Sequence, residues 1–195
     1  LTLVAGTVGD YAALVVTKDS PLNSMEDFLA AYRADANGTA VGGGSVPGGM
    51  DHLVAAMVMQ SAGEDPTALK YIPYDAGGTA MAALLSGEIK ALSTGFSEAI
   101  ALAGAGEVKI LGVTSDARVP AYGSAPTFKE QGLDTVFVNW RGFFAAPGLP
   151  EDKLAAYQDV ITKMYDTPEW EEVRARNGWV NIHNDGEAFR AFLEA

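Results

Sequence analysis

Apolar positions along this chain change period repeatedly, from continuous hydrophobic runs to stripes spaced three and four residues apart. Leu1–Ala5 and Tyr11–Thr17 read as strands, the second (A-A-L-V-V at its centre) continuous enough to be buried on both faces. Asn23-Ser24-Met25-Glu26-Asp27 supplies an N-cap and an acidic first turn. Phe28, Leu29 and Tyr32 then share one face of a helix expected to end near Asn37-Gly38. Thr39-Ala40-Val41 is a short β-like run leading into V-G-G-G-S-V-P-G-G-M-D-H-L, and Met50, Leu53, Val54, Met57 and Val58 form the next helical face. Leu69–Tyr74 is a strand candidate, after which Ala76-Gly77-Gly78-Thr79 opens a helix with Met81, Leu84 and Leu85 inward and Gly87 as a left-handed C-cap. Ile89–Thr94 is the next strand, and Gly95-Phe96-Ser97-Glu98 starts a helix reaching about Ala103. Val108–Thr114 supplies a further strand before a loop from Val119 to Pro126.

Strand, glycine-bearing turn and short helix in alternation predict an α/β fold with a mainly parallel sheet flanked by helices, whose ligand loops lie at the strand C-terminal ends. Three such loops are expected to converge: Gly43–Gly49, Asp75–Thr79 and Thr94–Glu98. Beyond them the character changes. Val136–Trp140 and Gly142–Ala146 read as one extended run through Arg141, stopped by Pro147 and Pro150. From Glu151 the chain is helical, with Leu154, Tyr157, Ile161 and Met164 on one stripe, and a Pro168-initiated helix carries Trp170 and Val173 to Gly178. Val180–His183 is strand-like, and Asp185 caps a terminal helix bearing Phe189, Phe192 and Leu193. These helices present apolar faces with scarcely any strand in the sequence for them to cover.

Composition narrows the chemistry. At 195 residues, 48% hydrophobic and 19% charged, the chain can bury a substantial core. Without cysteine, it offers no disulfide framework, zinc–thiolate cluster or thiol nucleophile. No apolar run approaches the roughly 20 residues needed to span a bilayer. The net charge of −12 and pI near 4.4, with thirteen basic residues scattered singly, argue against nucleic acid. An acidic surface also repels anionic ligands at long range, so an anion site would rely on local backbone dipoles or one placed arginine.

The glycine loop carries the main candidate chemistry. A strand, a glycine-rich turn and a helix N-terminus leave backbone N–H groups unpaired at the positive end of the helix dipole, where a carboxylate or phosphate is held without a cationic side chain. The same letters also describe a tight βα corner that binds nothing. Gly43 and Gly48 have P-loop spacing, but Gly49 and Met50 stand where Lys and Ser/Thr belong, and Pro47 replaces the third glycine of a dinucleotide fingerprint begun at Gly42 and Gly44. An anion smaller than a nucleotide fits what is left, and no cofactor is expected. Pro47 also spoils a nucleophile elbow at Ser45. Ser45 is therefore read as a hydroxyl donor beside the loop, with Asp51 and His52 hydrogen-bonding the loop into shape. His52 and His183 lack ligand-spaced partners for a metal. Arg141, an isolated cation in an apolar strand, is either the partner of a buried carboxylate or a bidentate clamp on a ligand carboxylate. Trp140 reads as core, and Ser97 and Glu98 as helix caps.

The ordered segments G-G-G-S-V-P-G-G-M-D-H-L, Y-D-A-G-G-T-A-M-A-A-L-L-S-G-E-I, A-G-E-V-K-I-L-G-V-T-S-D-A-R, A-P-T-F-K-E-Q-G and N-W-R-G-F-F-A-A-P together resemble the TctC (Bug) family, the extracytoplasmic solute-binding receptors of tripartite tricarboxylate transporters. The G-S-x-P-G-G-x-D-H form of the loop looks closer to the branch with tricarboxylate receptors. The resemblance implies a two-domain, type II periplasmic-binding-protein-like fold that closes over ligand in a cleft. It also implies a longer N-terminal part that this chain lacks. On that mapping residues 1–18 are the end of the first domain and the first crossover strand, 19–136 the complete second α/β ligand-binding domain, and 137–195 the return crossover strand and C-terminal helices of the partial first domain. It implies a small di- or tricarboxylate ligand such as citrate, the membrane subunits of the transporter as partners, and a periplasmic or extracytoplasmic location. The ligand-binding residues expected are Gly43, Gly44, Ser45, Gly48, Gly49, Asp75, Gly77, Gly78, Thr79, Thr94 and Arg141. The rival reading, an α/β hydrolase or isomerase acting on a small organic acid, suffers because no nucleophile–base pair emerges from the letters.

Overall fold

The computed structural model describes residues 1–194. They form two compact units, Leu1–Asp10 with Asn139 onward as unit 1 and Tyr11–Val138 as unit 2. The chain enters through β1 (Thr2–Thr17), a single 16-residue strand where the sequence reads as two. Gly6-Thr7-Val8-Gly9-Asp10 looks like a break because glycine and aspartate disfavour strands. Tertiary partners hold it extended instead. Thr7 Oγ1 donates to the Arg141 carbonyl at 3.0 Å, the Thr7 carbonyl accepts the Tyr165 hydroxyl, and a Cβ on Gly6 would lie 2.6 Å from Asn184 Oδ1.

Unit 2 is a five-stranded sheet in the order β3-β2-β4-β1-β5, built from β2 (Val41–Gly43), β3 (Tyr71–Pro73), β4 (Ala91–Gly95), β5 (Val108–Val113) and the second half of β1. β2 pairs parallel with both β3 and β4, in register at Val41↔Tyr71 and Val41↔Ala91. β1 is antiparallel to β4 and to β5 (Ala13↔Thr94, Ala13↔Val113), so four strands point one way and β1 alone runs against them. The sheet is thus mixed in its pairings and mainly parallel in its strand directions. Ala12 to Val16 are buried, as the continuous apolar run requires, and successive side chains serve opposite faces. Ala13 and Val15 join α3 (Gly77–Leu85) and α4 (Phe96–Gly104) in one core, while Leu14 and Val16 join α1 (Met25–Ala34) and α2 (Met50–Ser61) in the other. Phe28, Phe96 and Phe128 are each fully buried in these layers, worth roughly 1.5–3 kcal/mol apiece.

Element boundaries move where side chains overrule local preference. α1 stops at Ala34 rather than near Gly38, because the Asp35 carboxylate turns back to accept the Gly38 N–H at 2.9 Å. β2 begins at Val41 and runs into the glycines: a Cβ on Gly42 would meet Ile89 Cδ1 at 2.4 Å, and one on Gly43 the Tyr71 hydroxyl at 2.3 Å. Neighbouring side chains occupy that space, so glycine is required within the strand itself.

In unit 1, β6 (Val138–Ala145) and β7 (Val180–Asp185) both pair with β1, β7 antiparallel in register at Ala5↔Asp185. α7 (Gly186–Glu194) seats Phe189 in an aromatic cluster with Trp140, Phe144 and Phe192, which makes Trp140 a packing residue. α5 (Glu151–Tyr165) and α6 (Pro168–Asn177) carry no buried residue. Val4, Phe143, Phe144, Tyr157, Val160 and Ile161 line an open apolar cavity of about 510 Å³, with Phe143 56% and Val160 64% exposed. A contiguous apolar face of this kind drives association. The 195-residue chain is expected to self-associate with rising concentration, and Phe143→Ser with Val160→Lys to abolish it. Sedimentation coefficients identical for the two proteins across concentration would refute the assignment.

Candidate functional site

β2, β3 and β4 are parallel neighbours or share a neighbour, so their C-terminal ends fall on one edge of the unit 2 sheet. Each gives way there to a helix, and the three helix N-caps, Gly49, Ala76 and Gly95, provide no side-chain cap. By contrast α1 is capped by Ser24 and α6 by Thr167. The first turns of α2, α3 and α4 thus meet at that edge with the positive ends of their dipoles toward it. The loops touch through backbone. A Cβ on Gly44 would lie 2.2 Å from the Gly77 nitrogen and 2.6 Å from the Ala76 carbonyl carbon, a space no side chain could share.

The glycine loop is folded around its own carboxylate. Asp51, 6% exposed, accepts the Ser45 hydroxyl at 3.1 Å and takes hydrogen bonds from the backbone N–H groups of Gly44 and Ser45. Ser45 Oγ also accepts the Asp51 N–H at 3.0 Å, and Tyr71 donates its hydroxyl to the Ser45 carbonyl at 2.8 Å. Burial pushes the Asp51 carboxyl above the ordinary carboxylate range; the Ser45 hydrogen bond opposes that and the nearby Glu98 charge adds to it. Gly48, in the left-handed region at φ +85°, donates its N–H to His52 Nδ1 at 2.9 Å, and Gly49 donates to the Val46 carbonyl at 2.8 Å. The expectation that this junction leaves several backbone N–H groups unpaired is corrected for Gly44, Ser45, Gly48 and Gly49, which close on partners within the chain. Gly43 is buried at the strand end, where its carbonyl accepts the Tyr74 N–H.

The second loop is the open one. Asp75, Gly78 and Thr79 are exposed and Gly77 half-buried, and the N–H groups of Gly77, Gly78 and Thr79 begin α3 beyond the reach of any intrahelical carbonyl. Thr94, buried at the end of β4, donates its hydroxyl to Glu98 Oε2, so it orients a carboxylate instead of offering a free donor. Glu98 lies over Gly77, where a Cβ would come within 2.6 Å of Oε2. Its reading as a simple cap misses this, since the contact joins two helices that the sequence keeps apart. Arg141, in unit 1, is exposed rather than buried. Its guanidinium bonds the carbonyls of Asn139 at 3.2 Å and Trp140 at 3.4 Å, and no carboxylate lies within ion-pair distance among the described residues. The buried-carboxylate reading of Arg141 is thereby corrected.

The Ser45 hydroxyl, held between the Asp51 carboxylate and the Asp51 N–H, is not poised by a base, and His52 Nδ1 is engaged by Gly48. A nucleophile–base arrangement is absent from this cluster. Among the described residues no group of three His, Cys, Asp or Glu side chains could hold a metal ion.

Two expectations follow. Gly44→Ala must push the first loop off the second, and is expected to cost roughly 1–3 kcal/mol in denaturant unfolding, as overpacking does; an unchanged midpoint would refute the close approach. Because the folded Asp51 pKa lies above its unfolded value, the folded state holds the extra proton between the two. The Asp51 contribution to stability is greatest below the unfolded value near 4, falls as pH rises through the raised value, and is flat above it. Unfolding of wild type and Asp51→Asn between about pH 3 and about pH 8 should show their stability difference moving against the wild type as pH rises. A pH-independent difference would contradict it.

Comparison with known proteins agrees with this fold. The family model "Tripartite tricarboxylate transporter family receptor", TctC, matches residues 1–194. A TctC solute-binding protein from Polaromonas is similar at 29% identity and TM-score 0.73, covering 98% of this chain and 65% of its own. At the level of fold, Rpa4515 of R. palustris, solved with adipate, matches at TM-score 0.89 and 20% identity over 99% of this chain and 64% of its own. MatC of Rhodopseudomonas palustris, solved with bound malate, matches at TM-score 0.79 and 21% identity over 92% and 60%. The chain spans about two thirds or less of the length of these relatives. Its α/β fold with flanking helices is theirs, and with the family model matched along virtually its whole length the chain belongs to the TctC family of tripartite tricarboxylate transporter receptors, which are solute-binding proteins and not enzymes.

Proposed function

We propose that this chain serves a receptor that captures a small carboxylate outside the cytoplasm and hands it to the membrane subunits of a tripartite tricarboxylate transporter. The observation that carries the reading is the sheet edge of unit 2, where the first turns of three helices meet whose N-cap residues lend no side-chain cap, those of α3 and α4 among them. The residues proposed for contact there are Gly77, Gly78 and Thr79, whose N–H groups start α3, with Asp75 beside them. Ser45, Gly43, Gly44, Gly48, Gly49, Asp51 and His52 build the neighbouring wall, and Thr94 orients Glu98. Malate and adipate in relatives of the same fold support a di- or tricarboxylate, citrate included, as the solute class. No described helix is long and apolar enough to cross a membrane, which is compatible with a receptor that works beside membrane partners. The periplasm is the proposed location.

For Arg141 the proposal is separate: its fork, which among the described residues bonds the carbonyls of Asn139 and Trp140, is a clamp for a ligand carboxylate. Thermal unfolding and calorimetry across malate, adipate, succinate and citrate test both statements. A true ligand at a hundred times its Kd should stabilise the protein by about 2.7 kcal/mol. Arg141→Lys keeps the charge and loses the planar fork, so affinity should fall by roughly 1.5–3 kcal/mol with the ligand-free Tm unchanged. A panel without any stabilising acid would refute the receptor reading, and unaltered affinity in Arg141→Lys would remove that residue from the site.

A further inference from the structure

α3 and α4 bound a cavity of about 400 Å³ in unit 2, walled by Met81, Leu85 and Leu102 and closed at one end by Gly77, Gly78 and Glu98. Glu98 is the one charged side chain on that wall among the described residues. Two contacts place its carboxylate. Oε2 accepts the Thr94 hydroxyl, and the carboxylate rests so near the Gly77 α-carbon that any Cβ there would fall 2.6 Å from Oε2 and 3.1 Å from Oε1. Thr94 is itself buried at 1% exposure in β4. Glu98 is exposed and lines the cavity, and a carboxylate has about four lone-pair sites, so it can accept further hydrogen bonds there. The adjoining glycine loop adds no donor toward it, since the N–H groups of Gly44 and Ser45 are spent on Asp51 and that of Gly48 on His52.

We infer that Glu98 sets the solute specificity of this receptor: its carboxylate accepts a hydrogen bond from a hydroxyl or ammonium group of the ligand, so that hydroxy- and amino-substituted carboxylates are preferred to unsubstituted ones. The inference rests on the carboxylate-receptor reading and narrows it. A carboxylate group brought against Glu98 is repelled, and an alkyl chain brought there strips water from Glu98 without replacing its hydrogen bond. A hydroxyl or ammonium group in that place makes a charge-assisted bond instead. Sites that present a fixed polar partner reject analogues lacking the matching group far more strongly than apolar sites reject a missing methylene. The apolar walls contributed by Met81, Leu85 and Leu102 take the carbon skeleton.

L-malate, L-aspartate and succinate share one four-carbon diacid skeleton and differ only in the group at one carbon, so they isolate the effect. Amide NMR titration of the 195-residue chain reads dissociation constants into the millimolar range and reports on the Gly77 and Gly78 amides directly. In the wild type, malate or aspartate should bind at least about tenfold tighter than succinate, with the largest shifts at those amides. In Glu98→Ala the preference should shrink to within about threefold, succinate binding as well as before or better. Glu98→Gln retains a carbonyl acceptor and keeps Thr94 bonded; it should preserve part of the malate preference and lose the aspartate preference. Amide spectra of the free variants verify that each is folded. Succinate binding as tightly as both substituted acids, or a preference that survives Glu98→Ala, overturns the inference. If adipate or citrate binds and none of these three does, the specificity assignment alone fails. If no acid binds at all, the receptor reading fails with it.

Discussion

The second half of β1 is the constraint on which unit 2 depends. Residues 12–16 are buried, lie at an inner position of the sheet, and pair antiparallel with β4 on one side and β5 on the other. A strand covered on both faces commits helices to both faces, which is why α1 and α2 form one layer and α3 and α4 the other. Because β2, β3 and β4 are parallel to one another, every connection among them must be a crossover through a helix, and every helix among them must start at the same sheet edge. The candidate site is a consequence of that topology before any particular residue is considered.

What occupies the edge is set by a buried acid. Taking a carboxylate such as Asp51 out of water is costly unless donors replace the water, and the glycine loop supplies two backbone N–H groups with the Ser45 hydroxyl. Glycine at position 44 is needed for this, since the loop passes against the backbone of Ala76 and Gly77 with no room for a Cβ. The loop that looks most like an anion cradle thus already holds an anion, covalently attached. The open donors move to the next loop, beside Glu98, and the edge becomes a mixed donor and acceptor surface in place of a uniformly positive one.

Much of this was legible in the letters. The alternation of apolar runs and helical stripes is local, and it gave the α/β class, the inward face of α1 and three loops at strand ends, while Leu53 of α2 and Leu85 of α3, read as inward, are exposed and Ala55, Met59, Ala80 and Ala83 are buried in their helices instead; the ordered motifs gave the family. An N-cap within Asn23–Asp27, which the structure places at Ser24, and Gly87 as a left-handed residue after α3 were also readable, because capping depends on neighbours within one turn.

Tertiary structure alone decided the destinations of the polar groups. No local rule says that Gly48 will give its N–H to His52, that Glu98 will lie over Gly77, or that Arg141 will point to exposed surface from a strand of apolar neighbours. Nor does one say that Gly6–Asp10, with its glycines and acid, continues a strand, since Arg141, Tyr165 and Asn184 hold it there from far along the chain. Hydrophobic periodicity survives reading one residue at a time because burial is a property of a face. A hydrogen bond is a property of a pair, so the sequence determined which groups the site contains, and only the fold determined which of them are already spoken for.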